Sequence, residues 1–453
     1  MAQLPGSPLP VLKGRFTEAD ATRLLWRAGF GPRRGEAARV AALGLDGAVA
    51  SLTRPTGPVK LIGRAPHGAH GRPLDPVDVW GDDHCWWLDR MVRSNRPLQE
   101  RMTLIWHSWF ATSIDGATQK LMLEQNAMMR RHWLGNFLDL FLDVTKDPAM
   151  LLWLNGVENN KWSPNENYGR EMMELFSLGQ GRGYGQRDVE EQARALTGFT
   201  NEWSNAQGPH DFRFDADLHD DGVKHVLGAR GRFDWRDSCR LCVEHWSHPS
   251  FMVAKLWSYF VAEAIPADVA RTLERTYVES RFQTRPLVET ILRHPLFYAG
   301  ERMVLPPVVF CAGMLRALGH TVQTDAWAWV AQLTGQKLFE PPNVAGWDYA
   351  DWLDTARWAG RLTAVSYALG DDVLDPSKDK SYPPDETPSQ ALATALTHWD
   401  NPALGGGTEH NLLEFAHKVA HSIHATWEQV PDRVSRQNAL RTLIPLSPDW
   451  QTC

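Results

Sequence analysis

The residues best able to do chemistry lie between positions 101 and 225. In Asn165-Glu166-Asn167-Tyr168-Gly169-Arg170-Glu171-Met172-Met173-Glu174-Leu175-Phe176-Ser177-Leu178-Gly179, Glu171 and Glu174 stand three apart, which puts both carboxylates on one side of a helix. A second run, Tyr184-Gly185 through Gly198, repeats that spacing with Asp188 and Glu191 and adds Arg194 one turn on. His107 sits in the aromatic stretch Trp106-His107-Ser108-Trp109-Phe110. Carboxylates on two helices and an imidazole on a third form the donor inventory of a metal site in a helical bundle. The same groups serve equally as acid and base. The expected metal ligands are His107, Glu171, Glu174, Asp188 and Glu191, with Fe, Mn or Zn as the ion. Against this, the Glu-x-x-His signature of di-iron bundles is absent. Arg170 and Arg194 can neutralise the same acids in a structural ion network, and a lone histidine on an apolar face is more often a core residue than a ligand.

A second candidate is the turn His219-Asp220-Asp221-Gly222, followed by Lys224. Asp and Gly suit any turn, yet polar loops between helices commonly carry reactive groups. The catalytic candidates are thus His107, Arg170, Glu171, Glu174, Arg194, His219 and Asp220. Cys239-Arg240-Leu241-Cys242 with His245 and His248 has a zinc-like composition but not the spacing of a zinc finger. His417, His421 and His424 fall on one helix face, where such a stripe can bind a transition metal. No Gly-x-Gly-x-x-Gly, Walker loop or Gly-x-Ser-x-Gly occurs, so no nucleotide cofactor or serine hydrolase chemistry is expected.

The elements that must position these groups are mostly helices. Helical apolar spacing runs from Thr17 to about Ala28, from Arg34 to Leu43, from Asp82 to Phe110, and in one long helix from about Thr118 to Val144. Ser163 suits an N-cap, Pro164 the first helical position and Glu166 a capping box. Strand patterns are few, with Phe212-Arg213-Phe214 and Lys224-His225-Val226-Leu227 the fair candidates. Residues 53–79 read as a long surface loop. The Pro-rich, charged stretch 376–389 reads as a linker. The expectation is therefore one multi-helix body over 1–375, with few or no strands, and a small helical C-terminal extension over 390–453.

Composition narrows the function classes. The chain has 453 residues, 43% of them hydrophobic and 22% charged, as in soluble globular proteins. A net charge of −7 argues against nucleic-acid or anionic-membrane binding through bulk charge. No apolar run is long enough to span a membrane. The N-terminal residues lack the pattern of a signal peptide, which points to the cytoplasm. Five cysteines do not make a disulfide framework. The 21 tryptophans, against 8 tyrosines, are the unusual number. Trp80, Trp86, Trp87, Trp106, Trp109, Trp153 and Trp162 are dense enough to line a groove for a sugar or aromatic ligand, although core packing also accounts for them.

In their order, several motifs resemble the bacterial family called domain of unknown function 1800. They are Thr17-Glu18-Ala19-Asp20 with Arg27-Ala28-Gly29-Phe30-Gly31, Trp106-His107, Asp147-Pro148-Ala149-Met150-Leu151, and Asn165 through Gly179. The match continues with Asp188-Val189 through Gly198, His219-Asp220-x-Gly222-x-Lys224, Leu227-Gly228 and Pro341-Pro342-Asn343-Val344-Ala345-Gly346-Trp347. It covers roughly residues 16 to 365. The resemblance carries no established activity. It implies a second histidine in a Trp-His-x-His-Phe motif, where this chain has Trp109, and many such relatives are exported. The functional expectation is a metal-dependent or acid–base enzyme, an oxidoreductase or hydrolase, with a carboxylate and histidine pocket between helices and a small organic or glycan substrate. The alternative is a non-catalytic helical scaffold that binds a partner protein or glycan through a Trp-rich surface.

Overall fold

The computed structural model describes residues 9–348, 352, 354–378, 386–421 and 429–453. Regular structure is nearly all helical. Among the described residues the strands form two antiparallel hairpins, Phe199–Ser204 with Gly208–Phe214 and Lys224–Val226 with Ala229–Gly231. The mostly α body is as expected, and each of the two anticipated strand stretches has a partner strand that alternation did not reveal.

The first helix, Glu18–Arg27, starts where Thr17 and Asp20 close a reciprocal capping box. Ala21, Leu24 and Leu25 turn inward. The single helix expected from Thr118 to Val144 is two, Gln119–Arg131 and Phe137–Thr145. The break falls at Gly135-Asn136, where the Asn136 side chain accepts from the amides of Leu138 and Asp139 and so begins a new helix. Likewise Asn165, not Ser163, caps the Glu166–Glu171 helix. Asn160 takes the amides of Trp162 and Ser163 into an Asx turn, which keeps Ser163 and Pro164 outside the helix.

Two apolar cores fill the body. One gathers Trp106, Trp109, Phe110, Phe137, Phe141, Met172, Phe176 and Trp257. The other gathers Phe30, Trp87, Met91, Phe310, Met314 and Phe339, and with them Leu392, Trp399, Leu440 and Trp450. The 390–453 segment is therefore not a free-standing extension, because its apolar face completes the second core. Half of the 376–389 stretch, residues 379–385, lies outside the described residues.

Polar contacts reinforce that attachment. Arg27, 1% exposed, donates to the carbonyls of Phe297 at 2.9 Å, Glu301 at 2.6 Å and Cys453 at 2.9 Å. Arg361 is buried and donates to Leu305 O and to Gln451 Oε1. Met303 and Cys453 exchange both backbone hydrogen bonds at 2.8 and 2.9 Å. Removing residues 376–453 strips partners from two sealed guanidinium groups and opens an apolar core. The truncated protein is expected to aggregate on expression, as read by size-exclusion chromatography. A monodisperse truncation with a native melting transition would refute the shared core.

Candidate functional site

His107 lies on the Pro97–Phe110 helix with 1% of its surface exposed. Its ring is boxed by Trp87, Trp347 and Phe339, with centroids 5.2, 5.5 and 5.8 Å away. Burial pushes its pKa down to about 3, so the imidazole is neutral. Its Nε2 has no hydrogen-bond partner among the described residues. The loop bearing Trp347 sits hard against this helix, since a Cβ on Gly346 (φ +89°) would lie 2.4 Å from Ser108 O. The Pro341–Trp347 motif thus packs down a lid over His107.

Glu171 ends the Glu166–Glu171 helix, which continues as a π-helical turn, Met172–Ser177. Arg170 spans Glu166 at 2.9 Å, Glu174 at 3.5 Å and Gln186 at 2.9 Å. Burial raises the pKa of the half-buried Glu171 carboxyl, and the neighbouring Glu174 charge adds to the rise while Arg170 opposes it. A π turn leaves carbonyls without their usual helical partners, and side chains from elsewhere supply them. Trp109 Nε1 donates to Phe176 O at 3.0 Å, Lys255 Nζ to Leu175 O at 3.0 Å, and His248 Nδ1 to Ser177 O at 2.7 Å. Lys255 also lies over the Trp109 ring at 4.4 Å. Burial pushes its ammonium down to about 7.

Asp188 and Glu191 hold the neighbouring hairpin. Asp188 Oδ1 accepts from Leu227 N and Glu191 Oε2 from His225 N, both at 2.8 Å. Arg194 joins Glu191 at 2.9 Å to Asp220 at 2.7 Å. His219 Nδ1 donates to Thr197 O at 2.8 Å. The Arg194 guanidinium and the Gly222 amide hold the Asp220 carboxyl below its ordinary range against the opposing effect of burial. Lys224 is sealed beneath and donates to the carbonyls of Asp220 and Gly222.

The five nominated metal ligands are therefore dispersed. His107 sits in an aromatic box, Glu171 and Glu174 beside Arg170, and Asp188 and Glu191 on hairpin amides. Among the described residues the one group of three ligand atoms within 4.8 Å is Glu202, His210 and Asp211 on the first hairpin. There Arg213 already engages Glu202 at 3.2 Å. Cys239 and Cys242 are buried with thiol pKa values raised by burial, and His245 and His248 bond to Ser247 and Ser177 instead. All five cysteines are unpaired. Of the histidine stripe, His417 is exposed, whereas His424 and the side chain of His421 lie outside the described residues. Trp87, Trp106 and Trp109 belong to the cores, while Trp80 and Trp162 are exposed.

Sequence reasoning missed a different pair. At the start of the Asp82–Arg93 helix, Asp83 Oδ1 lies 2.6 Å from His84 Nδ1, with side-chain exposures of 1% and 2%. Asp83 Oδ2 and His84 Nε2 have no hydrogen-bond partner among the described residues. His84 Nε2 is 3.9 Å from Glu340 Oε1, and Lys337 closes on the same oxygen at 2.5 Å. Phe339, buried and held at φ +60°, packs its ring against both His84 and His107 at 6.0 and 5.8 Å. A bulky residue in the left-handed region is strained, and such strain gathers at functional sites. Adjacent Asp-His is a weak sequence signal, because acids at a helix start are ordinary capping grammar.

The family described as "Protein of unknown function (DUF1800)" matches residues 23–452, so the chain belongs to that family. The match takes in the C-terminal segment, which the motif resemblance had left outside. No curated protein and no solved structure matches the chain. No helix of the described residues is long and apolar enough to cross a membrane.

Two outcomes follow from this geometry. Glu174 and Arg170 are 22% and 37% exposed, so Glu174→Gln should lower unfolding free energy by less than about 1 kcal/mol. A loss near 3 kcal/mol would mark a buried pair instead. For His107, the unfolded imidazole takes up a proton near pH 6.5, while in the fold it stays neutral to about pH 3. The unfolded state then binds more protons between those limits, and stability falls on acidification. Urea melts of wild type and His107→Gln should converge by roughly 1 kcal/mol per pH unit from pH 6.5 to 4. A constant gap would show a titrating imidazole.

Proposed function

We propose that this protein is an enzyme working by general acid–base chemistry at the Asp83–His84 pair, on a small organic or glycan substrate. One observation carries the reading. Asp83 and His84 are sealed from water and joined at 2.6 Å, and the second nitrogen of the imidazole has no hydrogen-bond partner among the described residues. A carboxylate accepting from Nδ1–H fixes the tautomer in which Nε2 bears the lone pair, the arrangement of an oriented base. A buried polar atom left unpaired costs free energy that a substrate proton donor would recover.

The neighbours suit that role. Glu340 and Lys337 face Nε2 as a charged pair. Trp80, 48% exposed, approaches the His84 ring at 6.2 Å and pairs with the exposed Trp329 at 4.7 Å. His107 packs against the same Phe339 ring as a second, uncharged imidazole.

The scaffold reading keeps one observation in its favour. Trp162, Trp203 and Trp246 are 72%, 67% and 74% exposed, an uncommon display for indoles. It makes no use of the Asp83–His84 pair, so one experiment separates the two. The full chain is incubated with a mixed metabolite and oligosaccharide library, and consumption is followed by mass spectrometry. His84→Gln and Asp83→Asn should each slow the turnover found by roughly a hundredfold or more while melting within a few degrees of wild type. Turnover indifferent to both changes, or no turnover at all, would defeat the enzyme reading.

A further inference from the structure

We infer that the cavity between the Glu18–Arg27 helix and the C-terminal segment is a saccharide-binding site. The inference rests on a different part of the molecule and stands whether or not Asp83 and His84 are catalytic. The cavity measures about 670 Å³, within the range of small-molecule sites. Its walls carry Trp26, Trp399 and Trp450, and its polar lining carries Arg23, Asp400 and Asn401.

The aromatic wall is set in place before any ligand arrives. Trp450 meets Trp26 at 6.2 Å and 75°, and Trp399 at 5.1 Å and 69°, so the three indoles form an edge-to-face corner. Trp26 fits over two glycines, since a Cβ on Gly313 or Gly31 would come within 2.2 or 2.8 Å of its ring. Trp450 is 6% exposed, and its indole N–H is without a partner among the described residues. Asp400 and Asn401 are consecutive non-glycine residues in the left-handed region, at φ +63° and +54°. They end the Pro388–His398 helix, where Asn401 N returns to Leu396 O at 2.8 Å, and so fix the loop that borders the cavity.

Charge selects the ligand class. Arg23 donates to the carbonyls of Tyr298, Gly300 and Glu301 and lies within the electrostatic reach of Glu263, so it borders the cavity as a cation already held by the fold. Arg302 is paired with Asp449 at 2.6 Å. Asp400 spends Oδ2 on Gly35 N at 2.8 Å. An anion would meet Asp400, Asp449 and Glu18, and a cation would meet Arg23 and Arg302. A purely apolar ligand would cover these polar groups without bonding to any of them, the Trp450 N–H included. A neutral polyol, whose hydroxyls donate and accept and whose C–H faces stack on indole, satisfies all three constraints.

The test uses the full chain and four probes: cellobiose, lactose, mannobiose and N,N′-diacetylchitobiose. Intrinsic tryptophan fluorescence and isothermal titration should give saturable binding for at least one. Trp450→Phe keeps the ring and removes the N–H, and Asn401→Gly keeps the backbone angle and removes the amide. Each should weaken that binding at least tenfold, with melting temperatures near wild type as the control for folding. Binding at full affinity in both variants would place the sugar elsewhere and overturn the inference. Absence of saturable binding to all four probes would overturn it too. So would an anionic naphthalene dye that occupies the cavity and is not displaced by any of the sugars.

Discussion

A guanidinium deprived of water must find five acceptors or destabilise the fold that buries it. Arg27 meets that demand with carbonyls from Phe260, Phe297, Glu301 and Cys453, which come from the middle and the far end of the chain. The helix that begins the body is thereby tied to the segment that closes it. Arg361 repeats the device with Leu305 and Gln451. The Arg27 acceptors are all main-chain oxygens, so what that arginine specifies is backbone position. The apolar contacts of Trp399, Leu440 and Trp450 add burial energy, but it is the arginines that fix where the C-terminal segment lies. The Trp26–Trp399–Trp450 corner exists because that segment returns to the first helix.

The same logic governs the Met172–Ser177 turn. Widening a helix by one residue per turn frees carbonyls, and the core supplies Trp109, Lys255 and His248 to receive them. A cation at a helix C-terminus is favoured by the backbone dipole, and the Trp109 face adds cation–π attraction. Both resist the desolvation that lowers the Lys255 ammonium. Trp109 belongs to the first core, and its indole N–H makes a structural bond to Phe176 O.

Much of the fold was legible in the residues. The period of apolar positions marked the helices, and Thr17 with Asp20 gave the first start correctly. The failures share a cause. Asn136, Asn160 and Asn165 redirect the chain through side-chain bonds to local amides, which a hydrophobic period cannot register. The candidate site was less legible. Asp188 and Glu191 carry the spacing of metal ligands, but hairpin amides 34 and 39 residues downstream claim their oxygens. Conversely, Asp83-His84 has no distinctive spacing, and only burial and the approach of Phe339 and Glu340 from another segment give it meaning. Long-range pairing decided both cases, and no local pattern encodes it.

The sealed thiols bear on how this molecule behaves when it opens. Cys85, Cys239, Cys242 and Cys311 are distributed between the two cores, each buried and each held in its protonated form by desolvation. Thiolate is the reactive species, so alkylating reagents and oxidants are shut out twice, by access and by protonation. Each cysteine is in effect a timed seal on its own layer. The rate at which a given thiol becomes labelled measures how often its core breathes, and the first core carries two such clocks while the second carries the other two.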